Sequence, residues 1–249
     1  MAKQESIFTL NGTLGGITFY KTKDGYLAKE KTSLGGERFK SDPRFARSLE
    51  NWEEFKRSAL VGKVFKDAIK PLMKNASDSR VTGRITQLMS RILKEDFVSS
   101  RGDRHPANGI NSSISKNLLK GFNFNKYAVL GSILKKTCLI DQTLNTINIT
   151  NFNPSADIEF PTGASHLGLS GGVLVIDLAT KIFDFKPTNL INIGKTATPF
   201  SVNLAPAIIP FGLGIKMYFL KMEFFQEVNG VQYSFKNGEF NALEIVGVD

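Results

Sequence analysis

With 249 residues and 41% hydrophobic content, the chain is long enough to bury a proper core, as one large domain or two modest ones. Its formal net charge of +9 comes entirely from the first half: residues 1–126 hold 24 Lys and Arg against 13 Asp and Glu, and residues 127–249 hold 8 against 10. A single cysteine, Cys138, excludes an internal disulfide and a cysteine-rich metal site.

No stretch reaches the roughly 18 uninterrupted apolar residues of a membrane helix. The most apolar one, residues 204–220, is broken by two prolines, two glycines and Lys216. The segment after Met1 has neither an apolar signal core nor a small-residue cleavage site, so a cytoplasmic location is expected, with signal-independent export left as the alternative.

The first forty residues read as a small antiparallel β-meander, with β-favouring runs at 7–12, 16–21 and 26–31. Asp24-Gly25 between the last two predicts a type I′ hairpin, whose two central residues both need positive φ. Three short strands bury little by themselves, so this sheet needs the following helices or another copy of the chain.

Ser41-Asp42-Pro43 marks a helix start, with proline at the first helical position. Phe45, Leu49, Trp52, Phe55 and Ala59 then recur at helical spacing, followed by Val61, Phe65, Ala68, Ile69 and Leu72, and the helix should stop near Pro71. A second helix should open at Asp78 with Val81, Ile85, Leu88, Met89 and Ile92 as its apolar face. On it, Arg80, Arg84, Arg91 and Lys94 fall within about 80° of one another, a basic stripe beside the apolar one. Residues 99–117 are polar and rich in breakers, and predict a loop with at most one helical turn.

From Thr137 onward, short β runs alternate with Gly, Pro, Asn and Asp, which predicts a sandwich of about seven to nine strands. Residues 143–150, 172–178, 199–204 and 215–228 are the clearest. Asn229-Gly230 between two β runs is a strong hairpin signal, and residues 239–248 form the last strand. The expected fold class is therefore α+β: a basic β-meander and helical module over residues 1–126, then an antiparallel β-sandwich over 127–249.

Chemical motifs fail on context. Gly168-Leu-Ser-Gly-Gly172 matches the G-x-S-x-G pattern of a nucleophilic serine, but a buried strand pattern follows it where a helix is required, so Ser170 reads as a turn residue between strands. Gly194-Lys195-Thr196 lacks the first glycine and the helix of a phosphate-binding loop, and Gly212-Leu-Gly214 lacks the rest of a dinucleotide fingerprint. The two histidines, His105 and His166, are far apart in sequence. Arg101-Gly-Asp103 is the tripeptide associated with integrin binding, and without an export signal it reads as a basic turn. Cys138, in an apolar run, reads as a buried inert thiol. No catalytic, metal or cofactor residues are assigned.

Three segments carry a resemblance: Asn11-Gly-Thr-Leu-Gly-Gly-Ile-Thr-Phe-Tyr-Lys-Thr-Lys-Asp-Gly-Tyr26, Ser41-Asp-Pro-Arg-Phe-Ala-Arg47 with Glu50-Asn51 and Phe55 just after, and Phe225-Gln-Glu-Val-Asn-Gly-Val-Gln-Tyr233. In these the chain resembles members of an uncharacterised family of bacterial proteins. The resemblance implies a shared fold and no established activity.

The function these patterns favour is non-enzymatic: a structural protein that assembles with itself or builds into a larger particle. Ile17, Phe19 and Tyr20 are the expected interface residues of the meander, and Arg80, Arg84 and Arg91 those of charge pairing. Nucleic acid bound through the basic half is the second reading, and a ligand- or carbohydrate-binding sandwich the third.

Overall fold

The computed structural model describes residues 2–5, 7–31 and 36–249. The chain divides into two packing units, Met1–Leu49 and Glu50–Asp249.

The first unit holds an antiparallel sheet of β1 (Ala2–Lys3), β2 (Gly12–Leu14), β3 (Ile17–Thr22) and β4 (Gly25–Glu30), in the order β1-β4-β3-β2. β3 and β4 form where the β-favouring runs lie. Of the run at 7–12 only Gly12 enters a strand, at the start of β2, and Gln4 holds the backbone at Leu10. The Gln4 Nε2 donates to the Leu10 and Leu27 carbonyls, and its Oε1 accepts the Leu10 N–H at 2.9 Å. The β3–β4 hairpin forms without the expected turn: neither Lys23 nor Asp24 has positive φ, and the left-handed step falls on Gly25 at +115°. A short helix α1 (Gly36–Ser41) follows, and the Asp42 carboxylate accepts the Arg44 N–H at 3.0 Å to cap a 3-10 turn at Pro43–Phe45.

Helix α2 (Ala46–Ala68) carries the chain into the second unit, where α3 (Lys70–Met73) and α4 (Val81–Leu93) follow. α2 ends at Ala68 because Pro71, at the start of α3, cannot continue its hydrogen bonding. α4 buries the predicted face, Val81, Ile85, Leu88, Met89 and Ile92. Gly62 lets α4 approach α2 closely: a Cβ there would lie 3.2 Å from the Ile85 side chain. Residues 99–117 hold two short helices where at most one turn was expected, α5 (Pro106–Gly109) and α6 (Ser113–Leu119). Each has a side-chain cap: His105 Nδ1 accepts from Ala107 N–H, and Ser112 Oγ from Ser115 N–H.

Beyond α7 (Leu130–Ile133), β5 (Leu139–Asp141) and β6 (Thr146–Phe152) lead through α8 (Pro154–Asp157) into β7 (His166–Asp177), β8 (Ile182–Pro187), β9 (Ile191–Gly194) and β10 (Phe200–Leu204). β11 (Ile215–Val228), β12 (Val231–Ser234) and β13 (Ala242–Val248) complete the chain. A three-stranded antiparallel sheet runs β10-β6-β5. A larger one runs β12-β11-β7-β8, with β13 added to β11 and β9 to β7. The β11–β12 hairpin has the turn its sequence requires, with Asn229 at φ +51° and Gly230 at +78°.

β7 and β11 pair continuously from Ile176↔Ile215 to His166↔Phe225, and this ladder divides two cores. Met217 and Phe219 of β11, with Leu174 and Ile176 of β7, pack with Phe65, Ile85 and Met89 of the helices. The alternate residues Tyr218, Leu220, Met222 and Phe224 pack with Ile147, Ile149 and Val202 of the three-stranded sheet. The fold is α+β, as its pattern predicts. The change in charge at residue 126 is not a change in packing, since helices before it and strands after it share one core; the packing division falls at Leu49.

Candidate functional site

Register sorts the expected meander residues. Leu14 lies opposite Ile17, Phe19 opposite Ala28 and Lys21 opposite Tyr26, so Leu14, Ile17, Phe19, Tyr26 and Ala28 belong to one face of the first sheet, with Lys21 and Glu30 at its ends. Tyr20 pairs with Leu27 on the opposite face, beside Thr18 and Lys29, and the Lys29 ammonium lies 5.6 Å from its ring centre. Ile17 and Phe19 therefore act together, and Tyr20 does not join them. None of the described residues in Met1–Leu49 is buried; Leu14 is 71% and Ile17 46% exposed. The first half of α2 also leaves its apolar stripe uncovered, with Trp52 and Phe55 exposed.

The basic stripe is smaller than expected. Arg80 and Arg91 are exposed, but Arg84 is turned inward. Its guanidinium donates to the Asp78 carboxylate and to the carbonyls of Asn123 and Phe124, the last at 2.8 Å, and stacks on Phe122. Arg84 thus ties the start of α4 to the 122–126 segment and is withdrawn from any external partner. Periodicity placed it beside Arg80 and Arg91; its carbonyl partners, about forty residues away, left no local trace.

Arg101-Gly-Asp103 is a turn fastened to α2. Arg101 pairs with Glu50 at 3.2 Å, the Gly102 N–H donates to Glu54 at 2.9 Å, and Arg57 bonds the Gly102 carbonyl and lies 3.5 Å from Asp103. The turn is anchored at its far end by Asp96, 2% exposed, which accepts the N–H groups of Val98, Ser99 and His105 and the Asn108 amide. Burial alone would raise the Asp96 pKa, but these hydrogen bonds outweigh it and hold the carboxyl far below the usual range.

Ser170 lies inside β7, opposite Lys221, and is not in a turn. The glycines beside it make room for neighbours: a Cβ at Gly171 would sit 2.2 Å from the Phe219 carbonyl, and one at Gly172 2.4 Å from the Phe185 ring. A different serine meets the histidine. Ser165 Oγ lies 3.0 Å from His166 Nδ1 and accepts the Glu227 N–H at 2.8 Å, while His166 Nε2 lies 3.5 Å from the Glu227 carboxylate. Sequence reasoning missed this group because Ser165 and Glu227 are 62 residues apart. Its bonds close the junction between the start of β7 and the end of β11. Among the described residues, no group of three or more His, Cys, Asp or Glu is placed to hold a metal ion. No helix among them is long and apolar enough to cross a membrane.

Comparison with family models, with curated proteins and with solved structures finds no match at any of the three levels.

Proposed function

We propose that the chain is a non-catalytic structural protein that assembles with copies of itself through its N-terminal sheet. One observation carries the reading: a four-stranded sheet gathers Leu14, Ile17, Phe19, Tyr26 and Ala28 on one face while none of the described residues of that unit is buried. A sheet with an apolar face and no core of its own gains stability by covering that face. Its outer strands are short, β2 with three residues and β1 with two, and among the described residues each pairs on one side alone, leaving an edge on which a neighbouring strand can add. The uncovered Trp52 and Phe55 supply further apolar surface, and Arg80 and Arg91 supply charge for pairing with an acidic face.

Sedimentation velocity and negative-stain microscopy of the full chain test this. Oligomers or polymers are expected, and Phe19→Asp should dissolve them while leaving the far-UV circular dichroism unchanged. A stable monomer across the accessible concentration range would overturn the reading.

A further inference from the structure

A cleft of about 480 Å³ opens between the two C-terminal sheets, with the edge strand β5 on one side, β13 on the other, where residues 121–124 hydrogen-bond along it, and α7 at its end. It lies wholly within the second unit, and the proposal it carries does not depend on self-assembly. Its walls are aliphatic, formed by Leu130, Leu134, Ile140 and Val246. No aromatic ring lines it, so it lacks the stacking platform a sugar ring needs. Its volume falls in the range of small-molecule sites.

Three charged side chains line this space. Glu244, half-buried on β13, is the acidic one. Burial raises its pKa, against a hydrogen bond from the Asn123 side chain that lowers it. Lys136 is partly committed, donating to the Asn151 carbonyl and lying 3.5 Å from Asp157. Lys120 is exposed at the mouth and has no carboxylate within ion-pair distance among the described residues. With Lys136 paired to Asp157, the Lys120 ammonium is the charge at the mouth left for a ligand, which favours an anionic head over an amine there.

The geometry points to a binding site for a small amphiphile, a medium-chain carboxylate whose tail lies along Leu134, Ile140 and Val246 and whose head meets Lys120 at the mouth. The head pairs with the Lys120 ammonium. The tail replaces water against the aliphatic wall, so each added methylene should tighten binding about fourfold until the cleft is full.

The chain reports on this site itself, because Cys138, its single cysteine, lines the cleft. The test uses the full chain and sodium octanoate, followed by amide NMR shifts and by the rate at which methyl methanethiosulfonate, an uncharged reagent, labels Cys138. Octanoate should shift the amides of Gly121, Gly131 and residues 137–140 saturably, with a Kd of about 1 mM or tighter, and should slow labelling in parallel. Hexanoate, two methylenes shorter, should bind about fifteenfold more weakly. Lys120→Glu, a change at an exposed position, should weaken octanoate about tenfold, and octylamine should bind less well than octanoate. Three results would overturn the site: no saturable shift of the cleft amides, octylamine binding as tightly as octanoate, or an affinity indifferent to both chain length and Lys120→Glu.

Discussion

Asp78 and Arg84 share an ion pair in which the carboxylate is almost wholly buried, 1% exposed, and the guanidinium reaches it from the surface at 27%. Asp78 also accepts the N–H groups of Arg80 and Lys126, so one carboxylate fixes both the start of α4 and the segment that follows Asn125. Burial would raise its pKa, and the two N–H donors and Arg84 together lower it below the usual carboxylate value. Asp78→Ala leaves the Arg84 guanidinium without its anion, and should cost about 3 kcal/mol in urea unfolding. Arg80→Ala, at an exposed side chain, should change stability by less than about 0.5 kcal/mol. Equal losses in the two variants would remove the distinction drawn between them.

Acid should destabilise the second unit in two stages. His105 Nδ1 accepts the Ala107 N–H, and burial, with Arg57 and Lys181 nearby, lowers its pKa. A histidine lowered in the folded state is protonated more readily when unfolded, so stability falls as pH drops below about 6.5. Asp96 and Asp78, also lowered, contribute stability that is full above about pH 4 and lost as pH falls further toward their folded values. His105→Asn keeps a capping side chain and removes the titration, so urea midpoints measured from pH 7 to pH 3 should lose the first stage and keep the second.

Two glycines should respond in opposite directions to alanine. At Gly109 the added Cβ would lie 2.1 Å from the Ile92 carbonyl, a backbone atom that cannot step aside, and a loss of about 3 kcal/mol is expected. Gly83 lies on the outer face of α4 with nothing within 4 Å, and alanine there should stabilise by up to about 1 kcal/mol. Thermal or urea midpoints of the two variants decide the matter.

Cys138 should be a sluggish thiol. Burial, with Glu244 adding to it, pushes its pKa up to about 11. Alkylation by iodoacetamide should therefore keep accelerating with pH well past the point at which a free cysteine thiol levels off. A plateau near pH 9 would contradict the half-buried setting.

Elements whose cause lies within a few residues were legible in the sequence. Asn229-Gly230 announced its turn because both residues had to take positive φ, and the α4 face was spelled out by its spacing. What escaped was fixed from a distance. Gln4 holds the backbone at Leu10 while bonding across to Leu27, and Ser165 finds Glu227 only once β7 lies beside β11. α5 and α6 were hidden because polar residues that read as loop, His105 and Ser112, were serving as caps. The meander strand carrying Ile17, Phe19 and Tyr20 was legible, but only the register separates Ile17 and Phe19 from Tyr20.

The β7–β11 ladder limits how the gene can change length. Met217 and Phe219 serve the helices while Tyr218 and Leu220 serve the opposing sheet, so a single inserted codon inside the ladder would hand each side chain to the wrong neighbour. Gains or losses of one residue should be confined to the loops that flank these strands, where the chain's descendants can vary without exchanging one interior for the other.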